Sequence, residues 1–269
     1  MTDILARNNV RVFGSGLRPL VFVHGFGCDQ HMWRYVVPAF EKDYKIVLFD
    51  YVGAGKSDLN AYHPDRYSSL NGYADDILEV CDVLQLRDVI LVGHSVSSMS
   101  GMLAALHRPE LFSQLIMVCP SPCYINDPAD NYVGGFEKHE LLELLDLMGK
   151  NYIGWANFLA PVVMQNADRK ELQAELLESF CATDPHIAKR FAEVTFLSDN
   201  RAQLSKLHIP VLIIQCSDDV IAPVSVGIYL HEQIANNQLA MIEAPGHCPH
   251  MSHPQETIAR MVDFLAMEN

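Results

Sequence analysis

Four consecutive apolar residues, Val89-Ile90-Leu91-Val92, run into Gly93-His94-Ser95-Val96-Ser97, and a second apolar-patterned segment from Met99 to Leu106 follows at once. The first run reads as a buried parallel strand. The second reads as a helix that stops before Pro109. Passing from strand to helix within so few residues demands a sharp turn, which Gly93 permits because it has no Cβ to clash. A serine on such an elbow projects from the carboxyl edge of the sheet, over the N-terminus of the next helix. The usual pattern is G-x-S-x-G, and here Ser97 stands where the last glycine would be. A serine in this place also serves as an ordinary helix cap. Its chemistry therefore depends on what else the chain brings to the same edge.

Other stretches repeat the alternation of buried strand and helix. Asn8 to Phe13 alternates weakly and suits an edge strand. Leu20–Val23 is a buried strand that leads into His24-Gly25-Phe26-Gly27, and Ile46–Phe49 is another. Residues 31–40 read as a short helix with Trp33 and Val37 on its inner face. The loop Asp50 to Asp58 is glycine-rich but lacks the G-x-x-x-x-G-K-[ST] spacing of a phosphate cradle, so a structural turn is expected. Tyr73, Ile77, Val80 and Leu84 fall on one stripe of a helix over 70–84. Leu115–Val118 is a strand, as are Val211–Ile214 and Leu239–Ile242. Ser252 and Gln255 form an S-x-x-Q box expected to open the terminal helix.

From Tyr124 to Ser198 the alternation stops and the pattern is helical throughout, as an insertion on an α/β core would be. Leu141, Leu144, Leu145 and Met148 make one apolar face, opposite Glu137, Glu140, Glu143 and Asp146. Trp155, Phe158, Leu159 and Val162 make a second stripe, which Pro161 is expected to break. Leu172, Leu176 and Phe180 make a third. Asp184-Pro185 signals the start of a further helix, which carries Ile187, Phe191, Val194 and Phe196. The expected organisation is a core of residues 1–123 and 199–269 with a helical lid over 124–198.

A hydroxyl is a poor nucleophile near neutral pH unless a base lies within hydrogen-bond reach and an acid fixes the tautomer of that base. After the strand at 211–214 come Asp218 and Asp219, with Pro223 soon after. After the last strand come Gly246-His247. Serine, then acid, then histidine is the chain order of the α/β-hydrolase fold, and each group follows a strand, where the ligand sites of such sheets form. Ser95 is therefore expected to be the nucleophile, His247 the general base and then acid, and Asp219, in preference to Asp218, the orienting acid. The backbone N–H groups of Phe26 and Val96 are the expected oxyanion-hole donors. Among twelve histidines, His247, His250 and His253 are spaced like metal ligands. Pro249 interrupts any helix between them and no acidic cluster accompanies them, so no metal is expected. No cofactor is called for either.

The chain has 269 residues, with 19 Lys and Arg against 33 Asp and Glu, a net charge of −14. That balance disfavours nucleic acid and anionic membrane as partners. Residues 1–7 hold no apolar run, so no signal peptide is expected. Seven scattered cysteines suggest reduced thiols, and with them a cytoplasmic location.

The segments His24–Gln30, Gly93–Ser97, Tyr132–Glu137, Asn151–Trp155 and Gly246–His250 resemble the RsbQ group of bacterial α/β-hydrolases, regulators of the energy-stress response. They are also similar to the plant karrikin and strigolactone receptors, and the Ser97 variant of the elbow is of their kind. The resemblance implies an α/β-hydrolase fold: a mostly parallel central sheet flanked by helices, with a V-shaped four-helix lid inserted after the sixth strand. It implies a hydrophobic pocket lined by the matching positions Phe26, Tyr124, Phe136, Trp155, Phe158, Phe196 and Val220. It implies a small hydrophobic ligand or substrate, slow hydrolysis of an ester or lactone, and a PAS-domain phosphatase as partner in activating the general stress sigma factor. Two readings therefore stand side by side: a plain hydrolase, and a signalling protein that uses the same site to bind or slowly turn over its ligand.

Overall fold

The structure is a computed structural model and describes residues 3–267; residues 1 and 2, part of the segment expected to hold no signal peptide, lie outside them. Seven strands form one sheet: β1 (Arg11–Phe13), β2 (Pro19–Val23), β3 (Lys45–Leu48), β4 (Val89–His94), β5 (Phe112–Val118), β6 (Val211–Asp218) and β7 (Asn237–Pro245). Their spatial order is β1-β3-β2-β4-β5-β6-β7. Among the described residues, the β1–β3 pairing is the only antiparallel one in this sheet. β2 and β4 are buried along their whole length, which explains why both read as unbroken apolar runs rather than alternating ones.

The helices are α1 (Ile4–Arg7), α2 (Leu70–Val83), α3 (Val96–His107), α4 (Lys138–Lys150), α5 (Tyr152–Met164), α6 (Lys170–Ala182), α7 (Pro185–Phe196), α8 (Arg201–Leu204), α9 (Val224–Gln233), α10 (Pro249–Ser252) and α11 (Pro254–Ala266). Helices α4 to α7 lie between β5 and β6. The insertion thus follows the fifth strand and not the sixth, because a single antiparallel strand precedes β2 among the described residues. Two apolar clusters cover the two faces of the sheet. One includes Leu20, Phe22, Trp33, Ile90 and, from the inserted helices, Leu141, Trp155, Leu176 and Phe180. The other includes Val21, Val23, Tyr73, Ile77, Leu91 and Met99. Helices α4 to α7 therefore share a core with the sheet and are docked on it.

Three local expectations are corrected. Residues 31–40 form two 3-10 turns, Gln30–Trp33 and Val37–Ala39, instead of one helix; Pro38 has no N–H to continue a ladder. Pro161 does not end its helix: α5 runs through it to Met164, held by the burial of Trp155, Leu159 and Val163 on either side. Ser252 does not open the terminal helix. It ends α10, while His253 caps α11 and Pro254 takes the first helical position, where its fixed φ suits it. The glycine-rich loop at 50–58 is a structural turn: the Asp50 carboxylate accepts from the backbone N–H of Gln30 at 2.9 Å and of Lys56 at 3.0 Å.

Candidate active site

Ser95 follows β4 and heads α3 with φ 55° and ψ −122°, a left-handed conformation that is strained for a residue with a side chain. The elbow is tight enough that a Cβ on Gly93 would lie 2.5 Å from the Ser97 carbonyl oxygen. Ser97 donates to the His24 carbonyl and lies 3.1 Å from Tyr51 Oη. The hydroxyl in place of the usual glycine thereby ties the elbow to the loop after β2.

The loops after β6 and β7 bring Asp219 and His247 to Ser95. His247 Nε2 lies 2.8 Å from Ser95 Oγ, and His247 Nδ1 lies 2.7 Å from Asp219 Oδ2. The other carboxylate oxygen of Asp219 accepts from the N–H groups of Ile221 at 2.9 Å and Ala222 at 3.0 Å. All three side chains are buried. Asp218, the rival acid, is exposed. This continuous relay places a proton acceptor on the serine and an anion behind the acceptor, the arrangement that activates a hydroxyl. Tyr124 Oη lies 3.3 Å from Ser95 Oγ, and burial pushes its pKa up, so it stays a neutral phenol.

The relay opens onto an enclosed cavity of about 30 Å³, bounded by Phe26, Tyr124, Leu159, Phe180, Phe196 and Ile221 among others. That is room for one or two water molecules. A wider groove of about 690 Å³ runs between α4, α7 and the sheet helices, but Ser95, Asp219 and His247 all lie at the smaller space. Of the expected lining, Phe26, Tyr124 and Phe196 border the cavity. Trp155 stands behind it, its ring 6.0 Å from that of Phe26 and 5.4 Å from that of Phe180. Phe158 does not line it: 58% exposed, it sits on the solvent face of α5. Nor does Val220, 43% exposed on the acid loop. Phe136 is half-buried in the lid entry, pairing with Ile125, away from the cavity. The sequence reading missed Leu159, Leu176 and Phe180 as lining, although each lies on an apolar stripe it identified. It also missed Thr195, a polar residue to which no periodic signal points.

The two residues expected to supply oxyanion donors stand at the head of α3 and in the loop after β2. Val96 is the first residue of α3, so its N–H belongs to the turn that has no helical acceptor. Phe26 follows Gly25, whose close approach to the elbow leaves no space for a Cβ: one would lie 2.3 Å from His94 Nδ1. His94 does not face Ser95 as a base. Its Nε2 lies 2.8 Å from the His247 carbonyl oxygen and so donates to it.

Among the described residues, two buried sets of side chains offer metal-type donors within 4.8 Å of one another: His94, Cys248 and His250, and Cys119, Asp219 and His247. In the second, Asp219 and His247 are already bonded to each other. In the first, burial and the neighbouring His247 hold His250 neutral, its pKa pushed down to about 3, and burial lowers His94 as well. Of the three histidines spaced like ligands, His253 belongs to neither set: it stands at the N-cap position of α11, and its Nδ1 lies 2.9 Å from Ser252 Oγ.

A strained serine between strand and helix, an acid after the sixth strand and a histidine after the seventh define a protein of the α/β-hydrolase class. Residues 20–260 match the alpha/beta hydrolase family, and the chain belongs to it. It is 39% identical to a karrikin insensitive 2 receptor from Petunia hybrida, over 96% of this chain and 93% of that one. It is 40% identical to a strigolactone esterase from Pisum sativum, over 94% of each. Among solved structures, a hydrolase from Oleispira antarctica superposes with a TM-score of 0.95 at 47% identity, covering 98% of this chain and 96% of that one. No helix among the described residues is long and apolar enough to cross a membrane.

Proposed function

We propose that the protein is a serine hydrolase of small hydrophobic esters or lactones, with Ser95, His247 and Asp219 as its catalytic triad. The observation that carries this reading is the unbroken relay Ser95–His247–Asp219, at 2.8 and 2.7 Å, facing an enclosed apolar cavity. His247 Nε2 takes the Ser95 proton as Oγ attacks the carbonyl carbon. Asp219 holds the ring in the required tautomer and stabilises the imidazolium. The N–H groups of Phe26 and Val96 receive the oxyanion. His247 then protonates the leaving alkoxide, and a water activated by the same nitrogen releases the acyl group. Residues 124–198 act as the lid. With only about 30 Å³ inside, the substrate enters when the lid helices part from the sheet.

Intact-mass spectrometry with a short-chain nitrophenyl ester and a small sulfonyl fluoride tests the reading. Wild type is expected to gain the sulfonyl adduct and release nitrophenol, and Ser95→Ala to do neither. Equal labelling of both proteins would overturn it.

A regulatory use of the same site is supported by the similarity to a plant protein named as a receptor and by the motif resemblance to RsbQ. In that reading the protein is a cytoplasmic stress regulator, and a PAS-domain phosphatase senses the state of the lid. The acidic lid face offers less to such a partner than its charge suggests. Glu137 and Glu140 cap α4, and Asp146 pairs with Lys150. If signalling runs through ligand chemistry, Ser95→Ala in the source cell abolishes the stress response together with ester turnover.

A further inference from the structure

The cavity is bordered by two residues whose hydroxyls the proposed reaction does not use, Tyr124 and Thr195; the Tyr124 hydroxyl is partnered by Ser95 Oγ, and that of Thr195 is not. Thr195 lies on α7 beside Phe196, is 1% exposed, and borders the same space as Ser95. Its Oγ1 has no hydrogen-bond partner. A threonine inside a helix ordinarily satisfies its hydroxyl on the carbonyl three or four residues back, and Thr195 makes no such bond. The lining near it is largely apolar: Leu159, Val163, Leu176, Phe180 and Phe196. The thiols of Cys28 and Cys248 also border the cavity, but thiols are weak donors and acceptors. A buried donor without an acceptor is unfavourable, and one aimed into a substrate cavity is completed by a substrate that brings the acceptor.

We infer that Thr195 is a specificity-determining residue, and that its hydroxyl donates to a second oxygen of the substrate. This rests on the hydrolase reading proposed above and narrows its substrate class. The preferred substrate is a small ester or lactone whose cavity-bound acyl part carries an ether or carbonyl oxygen. A site built to hydrogen-bond a substrate group discriminates against the analogue that lacks it.

The test uses two nitrophenyl esters of nearly equal shape, the methoxyacetate and the butyrate, which differ by an oxygen in place of a methylene. Each is assayed with wild type and with Thr195→Val, which keeps the side-chain outline and removes the hydroxyl. The greater intrinsic reactivity of the methoxyacetate cancels when the kcat/KM ratio of the two esters is compared between enzymes. That ratio is expected to fall roughly 3- to 10-fold in Thr195→Val, as loss of one neutral hydrogen bond implies, with the loss falling on the methoxyacetate. Thr195→Ser, which keeps the hydroxyl, is expected to hold the ratio within about twofold of wild type; this criterion also serves if the valine variant does not fold. Ser95-dependent turnover of both esters with an unchanged ratio would overturn the subsite and leave the hydrolase standing. A ratio lowered as much by serine as by valine would assign the effect to packing and overturn it too. Absence of Ser95-dependent turnover of either ester would remove both proposals.

Discussion

At the scale of single residues, the acid of the relay is the sharpest distinction. Asp218 and Asp219 are adjacent, and composition cannot separate them. Geometry does: Asp219 is buried, takes two backbone N–H groups on one oxygen and presents the other to His247, while Asp218 is exposed. Asp219→Asn is expected to lower kcat about 10⁴-fold, because an amide at this position favours the wrong imidazole tautomer. Asp218→Asn is expected to stay within a few-fold, and steady-state kinetics on one nitrophenyl ester compares the two. Asp219 was legible in the sequence because acids of such relays sit on a turn a few residues before a proline, here Pro223, and Ser95 and His247 were legible because each follows an apolar strand. Thr195 was not legible. The fact that singles it out is a missing hydrogen-bond partner, which has no signature in the chain.

At the scale of elements, periodicity announced the lid helices but not which apolar stripe of each would face the cavity. Trp155, Phe158 and Leu159 share α5, yet Phe158 is exposed while Trp155 and Leu159 are buried; the face was settled by packing against the sheet cluster, which a single helix does not encode. The end of α5 also makes a junction that no motif marks. The His247 N–H donates to the Val163 carbonyl at 2.8 Å. Asn166 Nδ2 reaches both the Met164 and Pro245 carbonyls, at 2.8 and 3.0 Å. Gln165 and Asn166 both have positive φ. Gly246 has φ +89°, and a Cβ there would lie 2.3 Å from the Met164 carbonyl oxygen. Gly246→Ala is therefore doubly opposed, by backbone conformation and by contact. It is expected to destabilise the protein by at least about 1 kcal/mol and to lower kcat on the order of 100-fold, since a shift of about 1 Å in a catalytic group has that effect. Denaturant melts and ester kinetics on the one variant measure both. An alanine enzyme with wild-type kcat would show that the junction does not set the position of His247.

Across the whole molecule, the strands of the mostly parallel sheet were legible because strands buried on both faces appear as unbroken apolar runs; their spatial order was not. Nor were the polar groups that this burial traps. His94 and His250 pack with ring centroids 4.4 Å apart and their planes tilted by 56°, and the His250 ring centroid lies 4.7 Å from that of Trp33. Both histidines are held neutral by burial, with His250 pushed from 6.5 down to about 3. The sign of the resulting pH dependence follows. Above pH 6.5 this histidine is neutral in the folded and unfolded chain alike. As pH falls below 6.5 the unfolded chain takes up a proton that the folded chain refuses, so stability present at neutral pH is lost towards pH 3. Between pH 7 and pH 5 the loss from His250 alone comes to about 2 kcal/mol, at 1.36 kcal/mol per pH unit over roughly 1.5 units. His94 adds to it in the same direction. Urea melts of wild type and His250→Phe at pH 7 and pH 5 isolate the contribution. The phenylalanine variant has no proton to take up at this position and keeps an aromatic ring against Trp33, so its stability is expected to fall by about 2 kcal/mol less than that of wild type over the same interval. Equal losses would mean that His250 accepts its proton without unfolding, and the buried histidine pair would then not be a source of acid sensitivity in this fold.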